Sequence, residues 1–296
     1  ISSCGWPDPN TADLTDAANA DAIKSSLLYS VTTMHTLFNI TNTMILIWFI
    51  PQIEKIVSWI IPQKAEKEVF RLKYIQGGPL STAELSLDEA EQEIVHFSEI
   101  CYNGFGYMRQ AINEKDPVKF GELREKLIKY EAITDRIEYE IADYLNEVSK
   151  GEISSSSAVR INGMYKIIGE LESIGDSGDA IGRILARRNE HGLSFDEQQL
   201  KRLGRMCDLL DDAFKAMTNN LKAPYTSLKD ITNAQDAEYN INECRNTLRE
   251  EHIINIEENS SYNYQVGVFY MDIVAELEKM GDFMINVSEA KIAENG

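Results

Sequence analysis

No two cysteines in this chain are spaced as CxxC; the four stand at Cys4, Cys101, Cys207 and Cys244. That spacing excludes a zinc ribbon and argues against a disulfide framework, so three of the four read as helix-core residues in a reducing compartment. Basic side chains are also scarce. Lys+Arg number 29 against 48 Asp+Glu, a net charge of −19. The sequence therefore excludes a nucleic-acid partner, because phosphate backbones need a basic face, and it leaves room for cations and protein partners. There are only 4 histidines, His35, His96, His191 and His252. A carboxylate-bridged di-iron enzyme in a helix bundle wants two Glu-x-x-His units on facing helices. The chain offers one, Glu93 with His96. No nucleophile–base constellation, P-loop or Rossmann fingerprint occurs, so no enzyme activity is expected. The chain opens on Ile rather than Met, which is expected of a piece of a longer protein.

One absence is local. From Ser25 to Gln52 there is no Asp, Glu, Lys or Arg. As a helix, residues 25–50 of this run span roughly 39 Å at about 1.5 Å per residue, enough for a bilayer core of about 30 Å. Four aspartates precede it (Asp8, Asp13, Asp16, Asp21), and Lys55, Lys64, Lys67, Arg71 and Lys73 follow. The positive-inside rule then places the C-terminal side in the cytoplasm. The division expected is an extracytoplasmic loop over 1–24, a transmembrane helix with an interfacial segment over 25–61, and a linker over 62–85. Pro51 should break or kink the helix. The run is polar for a lipid-facing helix. Thr32, His35, Asn39 and Asn42 share one face, which must meet protein or water. Two readings stay open: the lining of a transport path, or hydrogen bonding between helices.

Beyond GGP at 77–79 the pattern is helical throughout. Six helices are expected, over 86–114, 117–149, 155–189, 194–222, 227–256 and 262–293. Turn chemistry separates them, with Ser194 and Glu197 spaced as a capping box and the serine run 154–157 as a helix start. The series repeats itself. A shift of 107 carries Leu127, Glu131, Asp135, Ile137 and Ile141 onto Ala234, Glu238, Asn242, Cys244 and Leu248. A shift of 106 carries Leu171, Glu172, Gly175 and Asp176 onto Leu277, Glu278, Gly281 and Asp282. The fold class is therefore all-α, with two three-helix bundles over 86–190 and 191–295.

Each copy puts acid-x-x-x-acid pairs on two helices: Glu131/Asp135 and Glu172/Asp176 in the first, Glu278/Asp282 and the weaker Glu238/Asn242 in the second. Residues four apart on a helix point the same way. The helical wheel sets them on the flank of the apolar stripe rather than opposite it. Gathered carboxylates repel and must be offset by protons, basic side chains or a cation. An all-oxygen donor set favours Mg²⁺, Ca²⁺, Mn²⁺ or iron. The alternative is an ordinary charged helix edge. Gly175 and Gly281 fall on the packing seam, where a missing side chain permits close approach and offsets the roughly 1 kcal/mol a helical glycine costs relative to alanine.

These residues resemble the PhoU family of phosphate-signalling proteins, whose string is similar to LERIGDHAxNIAE. Here LEKMGDFMINVSE runs from Leu277 to Glu289 and keeps Glu278, Gly281, Asp282, Asn286 and Glu289. The first copy, LESIGDSGDAIGR, keeps the ExxGD part. The resemblance implies two three-helix bundles with E(D)xxxD motifs able to hold metal clusters. The departures at Phe283 and Asn242 weaken that implication for the second copy. MHTLFNITNTMILIWFIPQIEKIV, residues 34–57, resembles the last membrane helix of bacterial sodium-dependent phosphate cotransporters, some of which carry a PhoU-like domain after the transport domain. That likeness implies a missing upstream transport domain, with sodium as coupling ion and inorganic phosphate as cargo, and a homodimer. The family's QSSS-type motifs are absent from this sequence, so the chain is not expected to transport alone.

Overall fold

The computed structural model describes residues 17–60, 72–80, 82–224, 227–258 and 262–293. Among them seven helices and no strand are found: α1 Ala17–Ile60, α2 Ala83–Asn113, α3 Pro117–Ser149, α4 Ser155–Glu190, α5 Glu197–Lys222, α6 Thr232–Glu258 and α7 Tyr264–Ala293. The chain divides into two compact units, Ile1–Val69 and Phe70–Gly296.

The first unit is described only through α1. It starts at Ala17, inside the segment expected to be loop, and continues through Pro51 to Ile60. The proline is thus part of the helix, not its end. The aspartates at 8, 13 and 16 lie outside the described residues. Among the described residues no helix is long and apolar enough to cross a membrane, which corrects the span expected over 25–61. The composition explains the difference. His35, Asn39, Asn42 and the interspersed threonines dilute an otherwise apolar run. Side chains around the helix are exposed all the same, including Met34 at 75%, Phe38 at 65% and Met44 at 70%.

The second unit forms because each of its helices has one apolar stripe. In α2 the stripe is Leu87, Ala90, Ile94, Phe97, Cys101, Phe105 and Met108, all buried, at spacings of three and four. Helices α2, α3 and α4 pack on one another as one three-helix bundle, and α5, α6 and α7 as a second. The bundles join through α4 against α7 and α2 against α5, and a single hydrophobic core runs through both. Cys101, Cys207 and Cys244 are buried free thiols.

Caps set the helix ends. The Thr82 hydroxyl accepts from the Leu85 amide, Asp116 from Val118 and Lys119, and Ser154 from Ser157. The serine run does start a helix. The capping box of α5 is Asp196 with Gln199, not Ser194 with Glu197, so α5 begins one turn late. Gly192, at φ +65°, ends α4 in the left-handed region that a side chain disfavours.

Part of the expected linker is built into the second unit. Residues 61–71 lie outside the described residues, but at 72–76 the chain packs on α2. Ile75 is buried. The amides of Tyr74 and Ile75 donate to Glu93 Oε2 at 2.6 and 3.3 Å. The carboxylate in the lone Glu-x-x-His unit is therefore fully buried as a backbone cap.

Candidate metal centre

Thr134 on α3 and Gly175 on α4 bring the two acid-bearing helices together. A Cβ on Gly175 would sit 2.3 Å from Thr134 Oγ1 and 3.0 Å from its Cβ. The hydroxyl of Thr134 donates back to the Glu131 carbonyl at 2.8 Å, which holds it against its own helix. The glycine therefore does what its position on the seam suggested.

That approach brings carboxylates from two helices into one place. Oxygens of Glu131, Asp135 and Asp176 all lie within 4.8 Å of one another. Oxygens on opposite sides of one hard cation are about 4–5 Å apart, from metal–oxygen distances of about 2.0–2.6 Å. The three are thus close enough to share an ion. Glu131 is half-buried, and Asp135 and Asp176 are exposed, so the site opens to solvent.

The electrostatics record the crowding. Desolvation and then the charges of Asp176, Glu138 and Asp135 push the Glu172 carboxyl up to about 7. Desolvation with Asp135, Asp179 and Asp176 raises Glu131. Asp176 rises by desolvation and by Asp135, with Arg183 opposing. Arg183 is committed elsewhere, since it and Arg124 both pair with the buried Asp179 carboxylate. The sequence reading missed Asp179, and missed Glu138 as a fifth acid beside the site. Neither belongs to a repeated motif.

The second copy is assembled differently. Arg245 Nη1 donates to Glu278 Oε1 at 2.9 Å, and Asn242 Nδ2 donates to Glu238 Oε1 at 2.5 Å. Asp282 is still raised by desolvation and by Glu278 and Glu238, with Arg245 opposing. No three ligand atoms of Glu238, Glu278 and Asp282 gather here; among the described residues that occurs only in the first copy. Gly281 again sits on the seam, where a Cβ would meet Ile241 Cδ1 at 2.9 Å. The second copy keeps more of the family's string but has Asn242 in place of an acid, and the first copy is the one that gathers three acids. Arg245, seven residues from Glu238 and so on the same helix face, is the signal that was available. Asn286 donates to Glu170 at 3.1 Å and joins α7 to α4 rather than serving either acidic site.

The polar residues proposed for a transport path lie on α1. His35, Asn39 and Asn42 are exposed, as is Thr32. The Thr32 and Thr36 hydroxyls donate to the carbonyls four residues back, at 2.8 and 2.9 Å. These two side chains are satisfied within the helix and need no partner to be tolerated.

Comparison with known proteins places this geometry in a familiar fold. The PhoU domain model matches residues 94–185, which covers most of the first bundle and all of its acidic site. Two solved structures are similar. One is the phosphate transport system regulatory protein PhoU from Streptococcus pneumoniae, at 17% identity and TM-score 0.57, covering 72% of this chain and 96% of that one. The other is PhoU from Pseudomonas aeruginosa, at 15% identity and TM-score 0.57, covering 71% and 97%. No curated protein matches. The chain thus contains a PhoU domain within an all-helical, PhoU-like fold.

Proposed function

We propose that the chain is a cation-dependent regulatory module of phosphate uptake, acting through its first bundle. One observation carries this: Glu131, Asp135 and Asp176 converge on one point at ion-sharing distances, with Glu172 and Glu138 beside them and Arg183 held by Asp179. A divalent or iron cation would be held by the first three, with Glu172 free to complete the set. Bound there, it would tie α3 to α4 and make their packing respond to cation supply. The regulatory role is supported by the PhoU domain over 94–185 and by the likeness to a phosphate transport system regulatory protein of Streptococcus pneumoniae.

The finer reading is that the module serves a sodium-driven phosphate transport domain in the bacterial plasma membrane, with the unit from Phe70 onward in the cytoplasm. Support comes from the His-Thr-Leu-Phe-Asn phrase at 35–39 and from the exposed apolar side chains of α1, which need other apolar helices as cover. In this arrangement α1 meets the transport domain and does not itself carry sodium or phosphate. A second reading, a helical scaffold that binds protein and no metal, is favoured by the second bundle, where Arg245 pairs with Glu278 and Asn242 hydrogen-bonds Glu238.

The experiment is phosphate uptake by cells carrying the intact protein, grown starved or replete for phosphate. With Glu131→Gln and Asp176→Asn combined, uptake should lose its dependence on phosphate supply. An unchanged response, from a protein present at normal level, would overturn the cation-dependent role.

A further inference from the structure

Among the described residues the buried cations are Arg160, Lys291 and Arg188, and two of them are paired. Arg160 binds Asp88 and Glu91 at 2.7 and 3.0 Å, and Lys291 binds Glu91 at 2.8 Å. Arg188, at the end of α4, is 4% exposed. Among the described residues no carboxylate lies within ion-pair distance of it. Its Nε and Nη2 donate to the neutral Asn189 Oδ1 at 3.1 and 2.7 Å. Its Cζ lies 4.4 Å from the centre of the Phe195 ring. Burial alone pulls its pKa down, the mark of a charge with nothing opposite it.

Local structure holds this side chain still. The Gly192 turn brings the Leu193 amide back to the Arg188 carbonyl at 3.1 Å. The Asp196–Gln199 box then fixes the residue after Phe195. The guanidinium is clamped on one edge by Asn189 and on one face by the ring. Its remaining Nη1 edge is the unused half of the fork.

Arg188 also lines a cavity of about 470 Å³ where the α2–α3 and α4–α5 turns meet. Ile112, Phe120, Leu193 and Phe195 supply apolar walls, and Lys115 is a second, exposed cation on its lining. One acid shares the lining, Glu114. Its Oε1 accepts from the Lys115 and Asp116 amides, both at 2.8 Å. This is a net positive pocket on a chain of net charge −19. Leaving a desolvated guanidinium unopposed is costly. A planar fork suits an oxyanion, and the volume exceeds what a bare ion fills.

We propose that this cavity binds a small organic oxyanion, its charge on Arg188 and Lys115 and its apolar body against Phe120, Leu193 and Phe195. The site uses none of the carboxylates of the candidate metal centre and does not depend on a cation there. Phenyl phosphate and inorganic phosphate are titrated calorimetrically into the full chain, with thermal melts confirming that each variant is folded. Phenyl phosphate should bind one per chain, about tenfold or more tighter than inorganic phosphate. Arg188→Gln should weaken it about tenfold, the scale of a lost charge-assisted fork. Lys115→Glu, on the surface, should weaken it similarly and decides the matter if Arg188→Gln does not fold. Three results would each overturn the proposal: no phenyl phosphate binding at millimolar concentration, equal affinity for inorganic phosphate, or affinity unmoved by Lys115→Glu.

Discussion

Gly175 and Gly281 occupy the same place in the two bundles, but the atoms facing them differ in stiffness. A Cβ at 175 meets Thr134, down to its Cβ at 3.0 Å, whereas at 281 the closest atom is the flexible end of Ile241. Gly175→Ala should therefore destabilise by about 1–3 kcal/mol, the range for overpacking. Gly281→Ala should cost distinctly less, and urea melts of the two variants compare them directly. Glu172 makes a second prediction at this scale. Its folded pKa is raised, so its contribution to stability is fully present below the unfolded value near 4.5 and is lost as pH rises through about 7. Without added cation, Tm should fall between about pH 5 and 8. Glu172→Gln should shallow that fall and raise Tm at pH 8 by a few degrees. Some slope should remain, because Glu131, Asp176 and Asp282 are raised too.

Among the elements, the strap at 72–76 is the piece most easily mistaken for linker. It buries Ile75 and gives Glu93 its backbone donors. A chain starting at residue 83 should be less stable than one starting at 70 by about 3 kcal/mol, the scale for stranding a buried charged acceptor. Equal denaturant midpoints would show that the strap is not structural. The strap also marks where the sequence stops being legible. The six helices after it were readable to within a few residues, because each has an apolar stripe of period 3.6 and most begin on a side-chain cap. The repeat revealed the two bundles because Leu127, Ile137 and Ile141 recur in register. The α5 start was misplaced since Ser194 and Asp196 both suit an N-cap, and only Gln199 reaching back to Asp196 decides between them. Ile75 and Glu93 were illegible because their pairing spans 18 residues with no periodic signal. In α1, absence of charge suggested a membrane span, but it is a weaker property than apolarity.

At the scale of the whole molecule, two copies of one bundle have come to differ in charge chemistry. The motif alone could not show this, since it fixes carboxylate positions on each helix but not which cation faces them. In the first bundle Asp179 sequesters Arg124 and Arg183 and leaves the acids crowded. In the second, Arg245 lies among them. The asymmetry makes the account testable within one chain. Mn²⁺ is titrated calorimetrically into the cation-free protein at pH 7.5, in parallel with a Glu131→Gln/Asp176→Asn variant and a Glu278→Gln/Asp282→Asn variant. The wild type and the second variant should bind Mn²⁺ with the same affinity, and the first variant should lose that binding. Binding that survives in the first variant and disappears in the second would contradict a metal centre in the first bundle, as would a wild type that takes up no Mn²⁺.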